Sequence, residues 1–63
     1  MKVNSSLAYK KKNDIYAVYV NHNMFFLKNK AGKYFEEVLF GNINFVPDTY
    51  IKFLIKNKIL IEN

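Results

Sequence analysis

Near residue 28 the apolar spacing of this chain changes from the two-residue period of a strand to the longer period of a helix. Before that point, Ile15-Tyr16-Ala17-Val18-Tyr19-Val20 is rich in β-branched and aromatic residues and predicts a strand. Met24, Phe25, Phe26, Leu27 and Lys28 predict the returning strand. Asn21-His22-Asn23 between them reads as a three-residue hairpin loop, because Asn tolerates positive φ. Residues 7–10 predict a shorter strand that ends in Lys10-Lys11-Lys12, with a turn at Asn13-Asp14. After the change of period, Ala31, Tyr34, Phe35, Val38 and Leu39 fall at i, i+3, i+4, i+7 and i+8, the stripe of an amphipathic helix. Lys30, Lys33, Glu36 and Glu37 then take its wet face, Asn29 is placed to cap its start and Gly41 to cap its end.

The rest of the chain continues that order. Residues 42–46 form a connector whose Ile43, Phe45 and Val46 are expected to lie extended against the core. Pro47 and Asp48 suit the first turn of a second helix. Its stripe is Ile51, Leu54 and Ile55, with Tyr50 and Phe53 beside it. Ile59-Leu60-Ile61 predicts a short closing strand or an extended tail, and residues 1–6 are expected to be flexible. Strands followed by helices predict an α+β domain over residues 1–63: a three-stranded antiparallel sheet, then two helices, or three if the connector supplies one, in a winged helix-turn-helix-like arrangement.

Size and composition narrow the function. A chain of 63 residues builds one small core and has no room for a deep enclosed pocket. It has no cysteine, so disulfides and thiolate metal sites are excluded. His22, the single histidine, sits between two Asn in a predicted loop with no partner nearby, and reads as a turn residue. Glu36 and Glu37 are adjacent and would point about 100° apart on a helix, so they do not make a carboxylate pair. Neither glycine belongs to a phosphate-binding motif. The chain is therefore not expected to be an enzyme or to hold a cofactor or metal. No apolar stretch follows the N-terminal charge and none is long enough to span a bilayer, so neither a signal peptide nor a membrane partner is expected, and a cytoplasmic location is the default.

Two features point to a binding role. The net charge is +5, carried by lysines with no arginine. Lys52 and Lys56 share a face of the second helix and could meet phosphates, but the lack of arginine makes nucleic acid the weaker reading. The aromatics are the second feature. Eleven Phe and Tyr are too many for one face of so small a core. They suggest a groove between the third strand and the last helix, lined by residues such as Phe26, Tyr50 and Phe53, where an extended peptide could add to the sheet.

Residues 24–41 run through a strand, Leu27-Lys28-Asn29, an amphipathic helix and Gly41, and residues 50–61 run a helix into Lys58-Ile59-Leu60. This pattern resembles PqqD-like proteins, the recognition elements of ribosomal natural-product biosynthesis. There a strand ends in Leu-Asn, and the closing helix runs into Gly and an apolar pair. Here the Asn comes one place later, Lys58 stands at the Gly position, and residues 42–46 are too short for the family's middle helix with its loops. The resemblance covers about residues 7–62. It implies a peptide chaperone that binds the leader of a precursor peptide and presents it to a modifying enzyme, such as a radical SAM or other maturase. The leader would add along Met24, Phe25, Phe26, Leu27 and Lys28 and rest on Tyr50, Phe53, Leu54 and Asn57. Lys52 and Lys56 would supply rim charge for an acidic leader. The same edge could instead pair two copies as a homodimer.

Overall fold

The computed structural model describes residues 1–62. In chain order the elements are β1 (Lys2–Val3), β2 (Ala8–Lys12), β3 (Ile15–Val20), β4 (Asn23–Leu27), α1 (Asn29–Leu39), α2 (Asp48–Lys56) and β5 (Leu60–Ile61), with a 3-10 turn at Ile43–Phe45 between the helices. The larger sheet has the order β2-β3-β4 and is antiparallel throughout. With the two helices after it, the α+β arrangement expected from the sequence is the one observed.

Turn chemistry sets the register. Asn13 and Asp14 have φ of 51° and 64°, and Asn21 and His22 have 51° and 65°. Both hairpins thus close through two left-handed residues, the conformation whose twist matches the flanking strands. The loop expected at residues 21–23 is one residue shorter, and Asn23 opens β4 opposite Val20. Likewise Lys12 pairs with Ile15, so β2 runs through the whole lysine triplet and does not stop at Lys10. This register turns Tyr16, Val18 and Val20 inward with Leu27, and leaves Ile15 and Tyr19 on the opposite, exposed face.

The inward set packs against the helices. Phe35 of α1, Leu54 of α2, and Ile59 and Leu60 beyond it are fully buried with Val18 and Val20. Gly32 lets α1 begin close to the end of β4, since a Cβ there would lie 2.9 Å from the Leu27 carbonyl oxygen. Asn29 does not cap α1. It has φ of 57°, and Lys28 before it offers no side-chain hydrogen bond to the helix.

Both helices end in the same way. After α1, Asn42 N–H donates to Glu37 O (2.8 Å) and Gly41 N–H to Val38 O (3.1 Å), with Gly41 at φ 82°. After α2, Ile59 N–H donates to Leu54 O (2.9 Å) and Lys58 N–H to Ile55 O (3.1 Å), with Lys58 at φ 65°. Each is a Schellman cap, and Lys58 occupies the left-handed place that glycine usually takes.

The connector and the N-terminus also depart from expectation. The connector is not extended; residues 43–45 make one 3-10 turn, with Phe45 N–H donating to Asn42 O. Within residues 1–6, expected to be flexible, residues 2–4 pair with the end of the chain. β1 pairs with β5 in a second antiparallel sheet, Asn4 N–H donates to Ile59 O (2.9 Å), and the Asn4 side-chain amide donates to Lys58 O (2.8 Å).

Candidate functional site

The larger sheet has two edges, β2 and β4, and among the described residues each pairs only with β3. In a hairpin closed by two residues, the pair flanking the turn is hydrogen-bonded and the pairs then alternate. Val20 and Asn23 flank the β3–β4 turn, so Asn23, Phe25 and Leu27 direct their backbone groups to β3. Met24 and Phe26 direct theirs outward along the open edge. No charged side chain lies in β4 (Asn23–Leu27). On β2 the same alternation turns the backbone of Tyr9 and Lys11 outward, with Lys10 and Lys12 on either side of Lys11.

Beside β4 the inner side is a chain of rings. Phe25 meets Phe53 of α2 edge-on at 5.9 Å, Phe53 stacks on Tyr50 at 5.5 Å, and Tyr50 lies 5.4 Å from Tyr34 of α1. All four are half-buried. The Tyr50 hydroxyl donates to the Ala31 carbonyl (2.9 Å), which ties α2 to α1. Burial pushes its pKa up to about 12, so it stays a neutral donor. Tyr34 was not among the expected site residues, although its helical spacing from Ala31 placed it on the same stripe.

The expected site residues divide. Phe25, Tyr50, Phe53 and Asn57 share the half-buried wall beside the β4 edge, and the Asn57 side chain donates to Phe53 O at the end of α2 (2.9 Å). Leu27 and Leu54 are core residues, at 6% and 0% exposure, and hold β4 and α2 in place instead of lining a groove. Phe26 is 69% exposed and Met24 54%. Both project to the outer face of the sheet, away from Tyr50 and Phe53, because Ala17 and Tyr19 opposite them also face outward. Phe26, expected beside Tyr50 and Phe53, is therefore not part of their wall; Phe25 takes that place. Lys28 is exposed where β4 gives way to α1, and Lys52 and Lys56 are exposed on α2.

The β2 side is held differently. The Tyr16 hydroxyl donates to Glu36, and Lys11 Nζ lies 3.3 Å from the same carboxylate oxygen and 5.5 Å from the centre of the Tyr16 ring. The Tyr16 hydrogen bond, then the Lys11 bond, hold the Glu36 carboxyl below its usual range; the same bond and burial push Tyr16 up to about 12. Glu36, expected on a wholly wet face, therefore clamps α1 to the guarded edge. A polar cavity of about 600 Å³ opens beside it, between Lys11, Asp14, Lys28 and Lys33. A more apolar cavity of about 340 Å³ lies on the outer sheet face between Lys10, Lys12, Ile15, Ala17 and Phe26.

Among the described residues, no helix is long and apolar enough to cross a membrane, and no group of three His, Asp or Glu side chains comes together as a metal site would need. Comparison with family models, curated proteins and solved structures finds no match for this chain.

Proposed function

We propose that this protein is a non-catalytic recognition module that captures the leader segment of a ribosomally made precursor peptide by strand addition and presents it to a separate modifying enzyme. The observation that carries this is the β4 edge. It offers the outward backbone groups of Met24 and Phe26, has no charged residue within Asn23–Leu27, and runs beside the Phe25–Phe53–Tyr50 wall. A peptide laid antiparallel there gains backbone hydrogen bonds from the edge and places alternate side chains against Phe25 and Phe53. Lys28, Lys52 and Lys56 are exposed, and in this reading they supply rim charge that steers an acidic leader more than it holds it. Lys58 adds support to the resemblance with PqqD-like proteins, since it adopts the left-handed conformation at the position where that pattern carries glycine.

The test is a fluorescence anisotropy titration against leader segments encoded beside its gene, with a labelled DNA duplex in parallel. Saturable peptide binding that tolerates moderate salt is the expected result. Binding to DNA alone, falling steeply with salt, would move the function to nucleic acid through Lys52 and Lys56.

A further inference from the structure

The face of the sheet that turns away from the helices has its own chemistry. β3 places Ile15, Ala17 and Tyr19 on it, and β4 adds Met24 and Phe26. Across from Ala17 and Ile15, β2 contributes Lys10 and Lys12. The small Ala17 side chain leaves a hollow between Lys10 and Phe26, and this is the apolar cavity of about 340 Å³. Its volume suits one large side chain and is too small for a folded element. Lys10 and Lys12 stand on the β2 margin, their backbone positions about 7 Å apart along the strand. The β4 margin is uncharged, with Phe26 69% exposed.

We propose that this hollow is a second docking site, distinct from the β4 edge, for an acidic partner segment that inserts one aromatic or large aliphatic side chain over Ala17 and sets carboxylates against Lys10 and Lys12. Charge complementarity selects this occupant. A second copy of the chain carries the same net charge of +5, so overall repulsion disfavours it relative to an acidic segment. A bilayer would engage a ring of cations around protruding apolar tips, whereas here the cations flank one side of a hollow. An apolar anchor in a pocket with charge at its rim is the arrangement of a protein-interface hot spot. The site does not depend on strand addition, because its side chains lie on the sheet face and not in the edge hydrogen bonds.

The probe is the tripeptide N-acetyl-Glu-Phe-Glu-amide, titrated into the isotope-labelled full chain and followed by amide shifts, with N-acetyl-Lys-Phe-Lys-amide as control. The expected result is saturable millimolar binding, with shifts centred on Lys10, Lys12, Ala17 and Phe26. The acidic probe should bind about fivefold tighter than the basic one, the size of two exposed ion pairs. Ala17→Leu, which fills the hollow, should abolish the shifts. Lys10→Glu with Lys12→Glu, both exposed and safe for folding, should reverse the preference. Equal response to both probes, no shift on this face, or sedimentation with phosphatidylglycerol vesicles without tripeptide binding would each overturn the proposal.

Discussion

The two edges of the β2-β3-β4 sheet have the same length and opposite chemistry. Each strand has five residues and each is closed by a two-residue turn. β2 carries three consecutive lysines, and its Lys11 is fastened across Tyr16 to Glu36. β4 carries none, and its neighbour is a wall of rings. Charge on an edge strand is a common protection against unwanted pairing. In the proposed reading, its presence on one edge and absence from the other lets the sheet resist addition at β2 and admit it at β4.

Phe26→Pro strikes the difference hardest. It removes an outward N–H and leaves the β3–β4 ladder intact, since proline is tolerated on an edge where its missing donor faces solvent. Leader binding should weaken at least about tenfold while thermal unfolding stays cooperative. Lys10→Thr, Lys11→Val and Lys12→Thr combined should erase the guard. Sedimentation velocity should then show self-association about tenfold stronger than the parent, through β2. Phe53→Ala should cost binding roughly 1 kcal/mol or more if its ring meets the leader. If the ring only packs, stability alone should drop, with affinity of the folded fraction unchanged.

Smaller effects sharpen the contrast. The depressed Glu36 value gives stability that is present above the ordinary carboxylate range and lost as pH falls through the folded value. The raised Tyr16 value gives stability that is present below about 10 and lost as pH climbs toward 12. Glu36→Gln should therefore flatten denaturation midpoints on the acid side, leaving peptide affinity at β4 unchanged. Lys58→Gly should raise stability by about 1 kcal/mol through its left-handed backbone and alter neither edge.

Much of this architecture was legible from local signals. The helix stripe from Ala31 to Leu39, the Gly41 cap and the strand at residues 15–20 follow from period and turn chemistry. A short closing strand at residues 59–61 was legible, but β1 and its pairing with β5 were not, because two residues carry no periodicity and the pairing is wholly non-local. Phe26 falls outside the wall for a geometric reason, since a wall beside a strand takes only the side chains of one face. Glu36 looked like one more charge on a wet helix. Its partner Tyr16 lies 20 residues away, and no spacing rule connects them.

The central claim is that β4 is the receiving edge, and amide hydrogen exchange tests it most directly. In the free protein the N–H groups of Met24 and Phe26 have no strand partner among the described residues, nor do those of Tyr9 and Lys11. On saturation with a bound leader segment, Met24 and Phe26 should become protected while Tyr9 and Lys11 exchange as before. Protection of Tyr9 and Lys11, or bound leader with no protection at Met24 and Phe26, would contradict it.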